Sequence, residues 1–377
     1  MIHSERFAWA QLALTPYIGP ESFLALIQHY GSAQAALAAP AEAVSKLVRH
    51  KQAVEAWKGK NGQAIAAAEA AFTWEKQKQC RLMLLCDNDF PTMLTEGITP
   101  PPLLFLRGCV ELLQQPAIAI VGSRHATPQA LRIAHDFGKA ISKHDIPVVS
   151  GMASGIDTAA HQGALSENGG TIAVWGTGID RIYPQSNRDL AYQIAEKGLI
   201  ISEFPLGTRP LAGNFPRRNR LIAALSKAVL VVEAAPESGS LITARLAGEM
   251  GREVMAVPGS IDNPHSKGCH KLIKEGAKLV ECLDDILSEC PSLSKPAPVK
   301  HIVRQNKPVP KQAPDNMTET KPSENPILTA LGYGPTHPDN LAQTLNMPTA
   351  DIYAQLLELE LDNIVASLPG GRYQRIK

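Results

Sequence analysis

AIAIVGSR, residues 117–124, is a run of small and branched apolar residues that stops at a glycine, a serine and an arginine. Polar residues do not alternate with apolar ones in it, so a strand formed here has both faces covered, as in a parallel sheet under helices. Five more runs repeat the rhythm: IPVVSG (146–151), TIAVWGTG (171–178), LIISE (199–203), AVLVVEAA (228–235) and REVMAVPGS (252–260). Helical pattern follows them; after the first, Ile133, Phe137 and Ile141 recur four apart on one helix face. The sequence therefore predicts a doubly wound α/β domain built on a parallel sheet.

Outward from this core the pattern changes twice. Residues 1–80 read as a small helical domain, in which Phe23, Leu26, Ile27 and Tyr30 fall at helical spacing behind the turn TPYIGP (15–20). A helix-hairpin-helix turn can offer backbone N–H groups to phosphates. Here the plainer reading, two short helices packing, comes first, because no lysine or arginine flanks the turn. The sheet domain is placed at 81–290. Residues 291–325 hold seven prolines and little apolar periodicity, with six basic and three acidic side chains, and are expected to be a flexible linker. Residues 326–377 read helix, helix, turn, helix and a hairpin around PGG, the order of a winged helix, with Ile352, Leu356 and Leu359 as the core face of the third helix.

Composition excludes more than it assigns. A net charge of +1 over 377 residues gives no global sign of a polyanionic or membrane partner. Six cysteines without a CxxC pair or metal-ligand spacing suit a reduced, cytoplasmic protein with no metal. The first residues lack the apolar core of a signal peptide, and no segment approaches about 18 consecutive apolar residues. There is no G-x-x-x-x-G-K-[ST], VGSRHA is not G-x-G-x-x-G, and the serine of GMASG stands one place off a nucleophile elbow. His161 reads as a core or capping histidine, and Asp157 as a cap for the same helix.

The strand ends carry the local signal. In open α/β sheets ligands bind beyond the carboxyl ends of the strands, where helix N-termini leave amides free. VGSR (121–124), SGMASGID (150–157), WGTGIDRIYPQSN (175–187) and ESGSLITA (237–244) all stand there, with Ser238 or Ser240 placed to cap a helix. From Phe204 to Lys227 there are five basic residues, Arg209, Arg217, Arg218, Arg220 and Lys227, and no acid. A one-signed cluster beside a ligand edge suggests a polyanion.

The ordered succession VGSR, SGMASGIDTAAH, GTGIDRIYPQSN, ISEFPLG, FPRRNRLIAALS, VVEA, SGSLITA, GREVMAVPG and SKGCHKLIKEGAKLV, from about residue 101 to 282, closely resembles the DNA-processing protein A family, DprA or Smf. The resemblance implies an extended Rossmann-like domain between a sterile-alpha-motif-like helical domain and a winged helix. It also implies sequence-independent binding of single-stranded DNA, protection of incoming strands in natural transformation, and loading of the RecA recombinase on DNA coated by single-strand-binding protein. It further implies homodimers, no cofactor and no catalytic activity. Carried onto this chain, it implies that Arg124, Arg217, Arg218 and Arg220 clamp phosphates and that Phe215 stacks on a base. Gly122, Ser123, Gly151, Gly155, Ser238 and Gly239 become backbone or hydroxyl contacts, and Lys267 a further DNA contact. Replacing Arg124 or Arg220 by Ala is then expected to cost about 1–3 kcal/mol of single-strand affinity.

An enzymatic alternative stands beside it: the strand-end layout also resembles nucleoside-monophosphate phosphoribohydrolases. In that family a glutamate in a glycine-rich turn does the chemistry, and Glu237–Ala244 has no acid at its place. Release of adenine from adenosine monophosphate would mark that activity. A duplex-DNA regulator built on the winged helix is a third option, weakened by four acids and no base in residues 349–365.

Overall fold

The computed structural model describes residues 2–48, 50–58, 62–293 and 325–376. Of the expected linker, 294–324 lies outside the described residues. The chain forms two compact units, Met1–Leu293 and Ser294–Lys377.

The first unit opens with α1 (Ile2–Ala13), α2 (Pro20–Tyr30), α3 (Ala33–Ala38), α4 (Ala41–Val44), α5 (Lys51–Lys58) and α6 (Gly62–Glu75). α2 starts on Pro20, whose fixed φ suits a first helical turn, and ends at Gly31, whose φ of 78° lets its amide close on the Ile27 carbonyl at 2.8 Å. Phe23 and Leu26 are buried beneath it, against Leu12 and Trp57.

A nine-stranded sheet follows: β1 (Cys80–Leu84), β2 (Leu103–Gly108), β3 (Ala117–Val121), β4 (Val148–Ser150), β5 (Thr171–Val174), β6 (Leu199–Ser202), β7 (Ser226–Val231), β8 (Glu253–Ala256) and β9 (Lys278–Leu279). Its helices are α7 (Pro128–Lys143), α8 (Ile156–Leu165), α9 (Arg188–Lys197), α10 (Asn214–Ala224), α11 (Gly239–Glu249), α12 (Lys267–Lys274) and α13 (Leu283–Glu289). All six predicted runs supply parallel strands. The sheet is not wholly parallel, however: β2 pairs antiparallel with β6, and β1 antiparallel with β2.

Burial on both faces explains the unbroken apolar runs. Along β3, Ala117, Ala119 and Val121 join a core with Leu221 and Ile222 of α10 and Ala244 of α11. Ile118 and Ile120 point the other way, into a core with Phe137 and Ile141 of α7 and Ile156 of α8. A third core lets Leu14 after α1 and Trp74 of α6 close over Leu82 and Phe105 of β1 and β2.

The second unit contains α14 (Pro326–Leu331), α15 (Pro338–Leu345), α16 (Thr349–Leu361) and the hairpin β10 (Val365–Leu368) with β11 (Arg372–Arg375). Ile352, Leu356 and Leu359 form its core face, as their spacing predicts. Among the described residues no helix is long and apolar enough to cross a membrane.

Candidate nucleic-acid interface

Strand order fixes where a ligand can enter. The sheet runs β1-β2-β6-β5-β4-β3-β7-β8-β9, so the winding direction reverses between β3 and β7. At such a switch point the flanking connections leave on opposite faces and open a crevice at the strand ends. An open crevice of about 800 Å³ lies there, lined by Gly122, Ser123 and Arg124 after β3, by Ser238 and Gly239 after β7, and by Phe215 and Arg218 of α10.

The loops are built from internal hydrogen bonds. The Ser123 amide donates to the Glu233 carbonyl at 2.7 Å and its Oγ accepts from the His125 amide at 3.1 Å, so the hydroxyl hydrogen and one Oγ lone pair are left uncommitted. Glu233 is buried and accepts from the Thr127 amide at 3.1 Å and the Thr127 hydroxyl at 2.8 Å, tying the β3 loop to the β7 loop. Ser238 caps α11 through Ser240 N–H, as expected of one of the two serines. Gly239 is the first residue of that helix, where amides have no intrahelical acceptor. Asp157 does not cap its own helix: its carboxylate accepts from the Gly151 and Ala153 amides at 3.1 and 3.2 Å, holding the β4–α8 loop.

The glycines of the motif do two kinds of work. A Cβ on Gly151 would fall 1.3 Å from Arg218 Nη1, so only glycine leaves room for that guanidinium. Gly155, at φ 81°, sits under the carbonyls of Ser123 and Arg124, 2.3 and 2.8 Å from where its Cβ would stand, and serves the loop rather than the crevice lining.

The arginine cluster separates by helix geometry. Phe215, Arg218, Asn219 and Ile222 fall at i, i+3, i+4 and i+7 and line the crevice. Arg124 and Arg218 stand 5.4 and 5.9 Å from the centre of the Phe215 ring, and Tyr183 packs on it at 5.6 Å. Arg218 is only 4% exposed, yet its Nε has no hydrogen-bond partner, and no carboxylate lies within 4 Å of it among the described residues. Burial lowers its pKa to about 10; Asp157 works against that fall and Arg124 adds to it. It remains a cation at neutral pH. Burial in turn raises the Asp157 carboxyl, against the pull of Arg218.

Three of the expected side-chain contacts, Arg220, Lys267 and Arg217, lie elsewhere. Arg220 points to the opposite side of α10, where it pairs with Glu203 and donates to the Thr99 carbonyl at 2.9 Å. Its charge is thus met by the fold, from an acid one residue before the acid-free stretch, and the affinity loss expected on its removal does not transfer to it. Lys267 opens α12, with Nζ on the Ile261 carbonyl, and is not part of the crevice lining, which takes His265 instead. Arg217 also faces away, over the Phe204 ring at 5.3 Å. Conversely, Tyr183, 44% exposed, and Asn219 line the crevice without having been singled out in the sequence. Tyr183 belongs to a quoted strand-end motif; its ring shows its purpose only once α10 brings Phe215 beside it.

The comparisons with known proteins agree along the whole length. Residues 81–291 match the family model described as DNA recombination-mediator protein A. Residues 3–56 match a DprA-like N-terminal HHH domain, and 310–371 the DprA winged helix domain. Protein Smf of Synechocystis sp. is 35% identical, with all of both chains covered. The DNA processing protein DprA of Streptococcus pneumoniae is 46% identical over 54% of this chain and 72% of its own length. The X-ray structure of that Streptococcus protein superposes with a TM-score of 0.65 at 36% identity, covering 74% of this chain and 95% of the other. A solved DNA processing protein A from Helicobacter pylori, described for its single-stranded DNA binding mode, gives 0.52 at 29% identity over 57% and 96%. Matched from its helical N-terminal domain through the switch-point sheet to the winged helix, this chain belongs to the DNA recombination-mediator protein A family.

Proposed function

We propose that this chain grips single-stranded DNA in the switch-point crevice, by phosphate and ring contacts rather than by reading bases. On the same reading it protects incoming strands in natural transformation and loads RecA on DNA coated by single-strand-binding protein, acting as a cytoplasmic homodimer. The observation that carries it is Arg218, a buried cation whose Nε has no acceptor among the described residues, flanked by exposed Arg124 and the Phe215–Tyr183 ring pair. An unpaired buried cation is costly and is retained where a ligand supplies the missing anion. Arginine matches phosphate with a two-pronged donor, and an aromatic face accepts any base, which together give affinity without sequence preference. The Helicobacter relative, described as binding single-stranded DNA, supports the same ligand.

A gel shift comparing single-stranded with duplex oligonucleotides of one sequence tests it; equal or stronger duplex binding refutes it. With Arg124 and Arg218 as the crevice cations, about two phosphates are neutralised per chain, so log K against log[salt] should have a slope of about −1.4. A slope near zero in a salt titration would show that the arginines do not meet phosphate.

The winged-helix unit is not needed for this grip. Its third helix carries Asp351, Glu358 and Glu360, with Asp362 just past its end, and no base, a poor match to a major groove. Ending the chain at Pro291 should leave single-strand affinity within a few fold, measured by anisotropy. A loss of tenfold or more would move part of the binding site beyond that residue.

A further inference from the structure

We propose that the bound strand continues from the crevice across the first turn of α10 into a second groove, where Tyr17 stacks a base. This rests on the single-strand reading above and adds a subsite to it.

The groove, about 660 Å³, lies on the side of α10 that carries Arg217 and Arg220. Its other wall is the loop between α1 and α2, the TPYIGP turn. Ile18, Ile98, Leu246 and Met250 give it an apolar lining. Tyr17 lies on that turn with 56% of its surface exposed and a φ of 64°, a conformation costly for a large side chain. The fold thus holds an aromatic ring out toward solvent against its backbone preference.

The charges select a base rather than a row of phosphates. Arg220 is paired with Glu203, and Glu249, on the groove wall, with Arg245. Glu21 also lines the groove. Arg217, exposed and lying over Phe204, has no carboxylate within 4 Å among the described residues. One cation at the ridge and an apolar, aromatic hollow beyond it fit a single phosphate followed by a planar base. The hairpin turn lacked a flanking cation in the sequence; α10 supplies one in space.

The test is anisotropy of the full chain with oligo-dT of about six and about twenty nucleotides, lengths that separate one subsite from two. Tyr17→Asn removes the ring while suiting the left-handed backbone, and Tyr17→Phe keeps the ring. Tyr17→Asn should weaken the long strand about fivefold or more and leave the short one unchanged, with Tyr17→Phe close to the unmodified chain. Equal effects on both lengths, or no effect on the long one, would overturn the second subsite while leaving the crevice standing. If the unmodified chain binds neither length, the crevice reading falls and the groove with it.

Discussion

Arg218→Met is expected to reduce single-stranded DNA affinity by tenfold or more while leaving the fold as stable as before, or more stable. The first half follows from the loss of charge-assisted bonds to phosphate, about 1–3 kcal/mol. The second follows from what surrounds the side chain in the free protein. Arg218 is buried, its Nε is unpartnered among the described residues, and Asp157, the carboxylate that opposes its charge, stays beyond ion-pair distance and is itself disfavoured by burial. Methionine fills similar length without the desolvation cost. Arg220→Met is the internal control with the opposite signature. It strands Glu203, a carboxylate with 4% side-chain exposure, and should cost about 2 kcal/mol or more of stability with little direct effect on affinity. Titration with an oligonucleotide and urea unfolding of the two variants separate the cases. If Arg218→Met unfolds more easily and binds as well as the unmodified chain, the guanidinium is a structural strut.

That contrast shows where the sequence stops being legible. The six parallel strands could be read because burial on both faces leaves an unbroken apolar signature. β9 is two residues long, and β1 and β2 form an antiparallel edge that the periodic pattern of the core does not announce. The crevice was legible as a place, since strand ends with Gly, Ser and Arg mark it. It was not legible as a list of contacts. FPRRNR puts its arginines on one line of text, but consecutive residues of a helix point about 100° apart. Arg218 therefore enters the crevice while Arg217 and Arg220 leave it. Arg220's partner is one residue outside the stretch whose lack of acids drew attention to the cluster. Ser123 illustrates the same limit at a single atom, since its amide, free in the motif, is spent on Glu233 in the fold.

Acid should loosen this site through His161. The ring is fully buried in α8, and Nδ1 lies 2.7 Å from Thr171 Oγ1, which is also 2.7 Å from the Val148 carbonyl. The threonine's one hydrogen goes to that carbonyl, so Oγ1 accepts and the histidine proton sits on Nδ1. Nε2 is then an unpartnered buried lone pair, and protonating it places an unsatisfied charge in the core. Burial first, and the Arg218 charge second, lower its pKa from 6.5 to about 3. Since the folded value is depressed, the unfolded chain takes up the proton first. The stability due to the neutral ring is complete above 6.5 and is lost as the pH falls toward 3. At pH 5 that loss is about 2 kcal/mol. Asp157, shifted upward, has the opposite dependence, so the comparison must be differential. Urea unfolding of the unmodified chain and of His161→Asn at pH 7 and pH 5 should show the gap between them shrinking by about 2 kcal/mol at the lower pH. A constant gap would mean that His161 is not the proton-linked group. Because α8 also carries the Asp157 carboxylate that holds the Gly151–Ala153 loop against Arg218, unfolding driven by this proton removes the cradle of the Arg218 guanidinium in the same step.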